Sequence, residues 1–313
     1  MTEFVLFGGK GGVGKTTLAA ATAVKLSAES HRTLIVSTDP AHSVADAVGA
    51  PVGTQPTRVL QDRALYAMEV DPRERFQDRY GDLFEDLLDR IQSLGVDLDS
   101  SDVSDVSDRG LLPGADEVAV VDLFAEYMSQ SQWDRIVFDT APSGHTLRLL
   151  ELPDVMNTTV GKLLSVQERL GSVAGSVRSL LGGSGNEGGG YAAKAGELQD
   201  AMRRVKLQLR DPEQTAFQVV TLPETMALAE TDRLLERLEE VGVPIEGVLV
   251  NRILREPPEH CPNCTPRYER QRAQIAQARA EIEQPVSEIP LVVDRTGLDR
   301  VEVLSRAVPN ISH

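Results

Sequence analysis

Ten consecutive residues near the start of the chain carry the densest chemical signal: Gly8-Gly9-Lys10-Gly11-Gly12-Val13-Gly14-Lys15-Thr16-Thr17. Gly9, Gly14, Lys15 and Thr16 stand at the spacing of a phosphate-binding loop. Glycines let backbone N–H groups turn inward around phosphate oxygens, and a helix opening at Thr16 adds the positive end of its dipole. Lys15 is placed to reach the β and γ oxygens and Thr16 to ligate Mg²⁺, with Gly9 to Thr17 as a whole lining the ligand. The expected ligand is a nucleoside triphosphate, ATP with Mg²⁺, and the expected reaction is its hydrolysis.

Lys10 is a second lysine inside the loop, a deviant form of the motif. It lies on the outer side of the phosphates, where it can reach across a subunit boundary to a neighbour's nucleotide and stabilise charge building up during transfer. The plain alternative is a solvated surface lysine. Two aspartates follow apolar runs. Asp39 ends the second strand in Ser37-Thr38-Asp39-Pro40-Ala41-His42-Ser43, at a strand edge where a carboxylate can orient or activate the attacking water. Asp139 ends Arg135–Phe138 and can hold Mg²⁺ through its waters. Taken alone, either is an ordinary helix cap or turn residue. His42 and His145 can satisfy turn backbone groups, and neither is assigned as a base.

Cys261-Pro262-Asn263-Cys264 contains the only two cysteines of the chain. Two thiolates are half of a tetrahedral zinc site, so two copies across a two-fold axis would supply four ligands and join a dimer around one Zn²⁺. A redox pair, or a metal completed by His260, remains open.

These residues need a scaffold. Apolar β-type runs at Phe4–Phe7, Thr33–Ser37, Leu65–Val70, Arg135–Phe138, Phe217–Thr221, Gly247–Val250 and Ile289–Val293 alternate with helical patterns. That rhythm predicts an α/β fold, a P-loop NTPase with a mostly parallel, doubly wound sheet. Two segments break it. Phe76 to Leu94 is apolar at helical spacing and leads into an acidic Ser/Asp stretch and a helix over Asp116 to Met128. Val155 to Leu181 is a second apolar stripe, closed by the Gly/Ser-rich Gly182–Gly190. The expected division is an ATPase domain of residues 1–72, 129–154 and 212–313, with a helical insertion subdomain of 73–128 and 155–211.

The 313 residues hold 48 Asp plus Glu against 32 Lys plus Arg, a formal charge of −16. So acidic a chain lacks the basic face that nucleic acid requires, and the excess of carboxylates suggests a halophile's solvation device, with an acidic mesophile's surface as the alternative. No apolar run is long enough for a membrane span, and no signal peptide precedes the first strand. A cytoplasmic location is expected.

Taken together, Lys10-Gly-Gly-Val-Gly-Lys-Thr-Thr, Asp39-Pro-Ala-His-Ser, Asp139-Thr-Ala-Pro-Ser-Gly-His-Thr-Leu-Arg, the Asn251 segment and Cys261/Cys264 resemble the arsenite-pump-type ATPases. Within that family the chain is most similar to the targeting factors of the guided-entry pathway for tail-anchored membrane proteins, in an archaeal form. The resemblance implies a cytoplasmic, transiently membrane-associated homodimer, with tetramers and a membrane receptor as further expectations. It closes over two ATP, with Lys10 engaging the opposite subunit's phosphates and Asp39 serving the water. Asn251 would match an adenine-reading asparagine, Pro290 would lie along the same base pocket, and zinc would bridge two subunits. The insertions would form a groove for transmembrane segments, lined by Met156, Leu163, Leu164, Val177, Leu180 and Leu181; such stripes otherwise pack on the ATPase core. Two rivals stand beside this: an arsenite-extrusion pump subunit, and an ATP-independent holdase switched by its cysteines.

Overall fold

A computed structural model describes residues 2–39, 43–81, 115–139, 189–255, 257 and 261–311. The strands are β1 (Glu3–Gly8), β2 (Thr33–Ser37), β3 (Thr57–Arg58), β4 (Leu65–Glu69), β5 (Arg135–Asp139), β6 (Thr215–Thr221), β7 (Ile245–Ile253) and β8 (Val286–Pro290). They form one sheet in the order β3-β4-β2-β5-β1-β6-β7-β8. Every pairing is parallel except that of β3 with β4. The helices among the described residues are α1 (Lys15–Ala28), α2 (Ser43–Val48), α3 (72–81), α4 (Ala115–Met128), α5 (Gly189–Leu209), α6 (Thr225–Val241), α7 (Cys264–Glu281) and α8 (Gly297–Ser305). The chain is therefore the α/β P-loop fold that its strand-turn-helix rhythm predicts.

Continuous apolar runs mark strands buried on both faces, and β2, β5 and β6 are buried at every position. Side chains alternate between the faces. Val5, Phe7, Ile35, Val137, Val220 and Leu249 point into a core shared with α1, α2 and α8. Alanines 19, 20, 21 and 23 of α1 are fully buried there, and their small size lets the helix lie close to the sheet. Phe4 and Phe138 stack with ring centroids 6.4 Å apart.

Two strands depart from the sequence expectation. The two-residue β3 is too short for any periodicity to register. β8 lies at Val286–Pro290 rather than Ile289–Val293, because pairing with β7 sets its register: Val248 stands opposite Val286 and Val250 opposite Glu288. Val293, at the end of the apolar run, is exposed.

By its contacts the chain divides into two units, Met1–Val70 with Gln130–Leu147 and Gln208–His313, and Asp71–Ser129 with Arg148–Leu207. The first holds the sheet. In the second, α3 and α4 are joined by a charged cluster in which Arg75 binds Asp122 (2.6 Å) and Glu126 (2.7 Å), and the Tyr80 hydroxyl donates to Asp122 Oδ1 (3.0 Å). For ion pairs this far removed from water, desolvation offsets much of the charge attraction. The helix expected over Phe76 to Leu94 is described only as far as residue 81, and the stripe from Val155 to Leu181 lies outside the described residues. Among the described residues no helix is long and apolar enough to cross a membrane.

Candidate functional site

β2, β5 and β1 are neighbours in the sheet, and their carboxyl ends are level. Phe7 stands opposite Asp139, and Asp139 opposite Ser37. The loop after β1, the Thr38–Asp39 segment after β2 and Asp139 at the tip of β5 therefore emerge side by side. Open parallel sheets bind ligands at such strand ends, where the strand order reverses direction.

The loop is shaped by glycines in backbone conformations that other residues rarely adopt. Gly9 has φ +142°, and a Cβ there would run into the Val220 carbonyl oxygen. Gly14, the residue before α1, has φ +98°, and its missing side chain leaves room for the Asn251 amide. Both conformations are left-handed and favour glycine. Val13 between them is buried, while Lys10, Gly11 and Gly12 are exposed.

Behind the loop lies a compact charged cluster. Lys15 is 6% exposed and donates to the Lys10 carbonyl at 3.3 Å. Burial holds its ammonium below the usual lysine range, and Asp139 and Asp39 push it back up. Asp139 is 1% exposed. Burial drives its carboxyl from 3.8 up to about 6, and Asp39 adds to the rise; Thr16, Lys15 and Ser37 oppose it. The Ser37 hydroxyl bridges the two acids, donating to Asp139 Oδ2 at 3.4 Å and accepting from the Asp39 N–H at 3.2 Å. Asp139 Oδ1 is buried without a hydrogen-bond partner. An orphaned carboxylate oxygen beside a threonine hydroxyl fits a hard cation with oxygen ligands, so the donor set suits Mg²⁺.

The two loop lysines face different ways. Lys15 is turned inward, whereas Lys10 is exposed and its Nζ donates to Glu230 Oε1 of α6 at 2.9 Å. Asn251, 6% exposed and two residues before the end of β7, donates through Nδ2 to the Val13 carbonyl (2.8 Å) and accepts the Arg252 N–H (2.8 Å). Among the described residues these two bonds use one of its amide hydrogens and its carbonyl oxygen. Arg252 Nη2 donates to the Gly12 carbonyl at 2.9 Å. Pro290 ends β8 and lines an open cavity of about 430 Å³ with Arg255, Leu291, Val292, Asp294 and Arg295.

Sequence reasoning missed several of these partners. Ser37 opens the Asp39 motif, which assigns it no role, and Glu230 and Arg252 carry no motif. Nor does Glu69, a buried residue at the end of β4 whose Oε1 accepts the N–H groups of Val44 (2.7 Å) and Ala45 (3.1 Å) in α2, the helix after the Asp39 loop. Its position at a parallel strand's carboxyl end, like that of Asp139, was the available signal.

Cys261 and Cys264 lie at the start of α7 with their sulfurs bonded to each other. The Cys264 N–H donates to Cys261 Sγ at 3.2 Å, and both residues are partly exposed. Among the described residues no group of three His, Cys, Asp or Glu side chains could hold a metal ion. Among the described residues the pair has no third ligand beside it, and holding zinc would require both sulfurs as thiolates rather than bonded to each other, with the remaining ligands supplied from elsewhere. His42, His145, His260 and the six apolar groove candidates Met156, Leu163, Leu164, Val177, Leu180 and Leu181 lie outside the described residues.

Comparison with known proteins adds kinship to this geometry. A family model described as anion-transporting ATPase matches residues 2–310. The chain is 32% identical over 281 residues to "ATPase GET3C" of Arabidopsis thaliana, covering 86% of this chain and 71% of that protein. It is 33% identical over 270 residues to "ATPase GET3" of Mycosarcoma maydis, covering 86% and 78%. To "ATPase ASNA1 homolog" of Dictyostelium discoideum it is 31% identical over 291 residues, covering 93% and 84%.

Proposed function

The chain belongs to the anion-transporting ATPase family, and on that premise we propose that it is a homodimeric targeting ATPase. In this reading ATP hydrolysis drives the release of hydrophobic transmembrane segments of tail-anchored proteins. The activity itself, ATP and water to ADP and phosphate, comes with the family and with relatives named as ATPases.

The observation that carries the dimer reading is the division between the two loop lysines. A single subunit needs one lysine on the β and γ oxygens, and buried Lys15 serves that role. Lys10 points to solvent against an exposed carboxylate, and an ion pair of that kind is held by about 1 kcal/mol at most. A triphosphate on a facing subunit offers several negative charges in a water-poor interface, so Lys10 exchanges Glu230 for the partner's phosphates as the dimer closes. Asp39, held at its backbone by Ser37, aligns the attacking water. Thr16, together with Asp139 acting through water, would hold Mg²⁺, which neutralises phosphate charge when bound. Asn251 and Pro290 frame the adenine.

Cys261 and Cys264 would hold half of one zinc per dimer, a structural ion that fastens the two copies. The closed state is favoured by its extra contacts with triphosphate, and loss of the γ-phosphate removes that bias. The client-binding part is the insertion of residues 73–128 and 155–211, with the groove residues named from the sequence. The setting is cytoplasmic, with transient visits to a membrane receptor.

Co-purification of the full chain with a tail-anchored substrate, with and without a non-hydrolysable ATP analogue, tests the coupling. Client is retained preferentially with the analogue. Equal retention in both preparations would break the link between nucleotide and client.

A further inference from the structure

β7 outruns its neighbour on one side. The register between β6 and β7 ends with Thr221 opposite Val250, yet β7 continues to Ile253. On its other side Ile253 still pairs with β8, and its carbonyl accepts the Leu291 N–H at 2.8 Å. The main-chain groups of Arg252 and Leu254 need partners that β6 does not reach. They receive them from a side chain: Gln271 Nε2 donates to the Arg252 carbonyl (3.2 Å), and Gln271 Oε1 accepts the Leu254 N–H (2.9 Å). One amide thereby does what a residue of a parallel neighbouring strand does, bonding a carbonyl and the N–H two residues on.

Gln271 belongs to α7, whose buried residues are Gln271, Ile275 and Ala278. A 5%-exposed amide on that inner face is costly unless both its ends are bonded, and both are. The segment it holds is unusual as well. Arg252 has φ +61°, a left-handed conformation that a non-glycine side chain tolerates only when its surroundings enforce it. From this segment two side chains grip the phosphate loop, Asn251 at the Val13 carbonyl and Arg252 at the Gly12 carbonyl.

The geometry points to Gln271 as a positioning residue for ATP binding. It splints the left-handed turn at Arg252, and that turn aims Asn251 and Arg252 at the loop carbonyls. The loop is then held in the shape that presents its N–H groups to phosphate before nucleotide arrives. Without the splint, Arg252 relaxes toward ordinary strand geometry, and part of the binding energy goes into rebuilding the loop. The effect falls on nucleotide affinity rather than on the chemical step, which Asp39 and Lys15 serve from other elements.

The test compares three variants of the full chain by steady-state ATPase kinetics, by binding of a fluorescent ADP analogue and by thermal melting. Gln271→Met keeps side-chain volume and removes both hydrogen bonds; KM for ATP and the analogue's Kd rise about five- to tenfold, while kcat stays within about twofold of wild type. Gln271→Glu keeps an acceptor for Leu254 and sets an anion against the Arg252 carbonyl, so KM rises at least as far. Ile275→Ala, one turn along the same buried face, lowers the melting temperature by cavity formation and leaves KM unchanged. A wild-type KM in either Gln271 variant overturns the assignment. So does a rise in KM for Ile275→Ala in proportion to its lost stability, since the readout would then report helix packing alone.

Discussion

Asp139→Asn replaces a buried carboxylate by a near-isostere of its protonated form, and the structure sets the size of the consequence. Burial raises the Asp139 carboxyl from 3.8 to about 6, with Asp39 adding and Thr16, Lys15 and Ser37 subtracting. The folded chain therefore binds this proton more tightly than the unfolded chain does. Between about pH 4 and pH 6 the folded state holds the proton and the unfolded state has lost it, so stability falls as pH rises through that window. A displacement of roughly two pH units at 1.36 kcal/mol each corresponds to about 3 kcal/mol of stability present below pH 4 and gone above pH 6. Urea unfolding of nucleotide-free, metal-free protein at intervals from pH 4 to pH 7 measures it, with Asp139→Asn in parallel to cancel every other titrating group. Near pH 4 wild type and variant unfold at similar urea concentrations; by pH 7 the variant is the more stable by about that amount. A difference between the two proteins that stays constant across the range, or grows in the wild type's favour as pH rises, refutes the reasoning.

Three further outcomes follow from the site. Asp39→Asn retains ATP binding while turnover falls about 100-fold or more; unchanged turnover would take Asp39 out of the mechanism. Glu230→Gln changes unfolding stability by less than about 1 kcal/mol but lowers the ATP-analogue concentration needed for half-maximal dimerisation in sedimentation, and Lys10→Ala abolishes that response. If the Glu230 variant needs more analogue instead, the carboxylate assists closure rather than restraining Lys10. Purified, reduced protein carries zinc at half-stoichiometry by metal analysis and dissociates on chelation. Metal-free protein that remains dimeric with the two thiols oxidised would replace the zinc reading by a redox one.

How much of this was legible beforehand depended on distance along the chain. The phosphate loop, Lys15 and Thr16 were readable because strand, glycine turn and helix are contiguous, and local backbone chemistry confines such a run to few conformations. Asp39 and Asp139 were readable as acids following apolar strands. The sheet was readable because seven apolar runs alternate with helices, while β3 and the true bounds of β8 depended on pairing with other strands. The shift of β8 by three residues is an example: its register follows Val248 and Val250 across the ladder rather than its own apolar run.

The sequence alone determined what the loop can bind, because covalent neighbours supply the glycines, the ammonium group and the hydroxyl in one stretch. Only the tertiary structure decided which side chains tune and restrain it. Glu230 meets Lys10 across 220 positions, Asn251 reaches Val13 across 238, and Ser37 bridges to Asp139 across 102. Each of these partners is an ordinary polar residue in an ordinary helix or strand. Its role arises from burial and from the level alignment of parallel strand ends, neither of which leaves a periodic mark in the residues themselves.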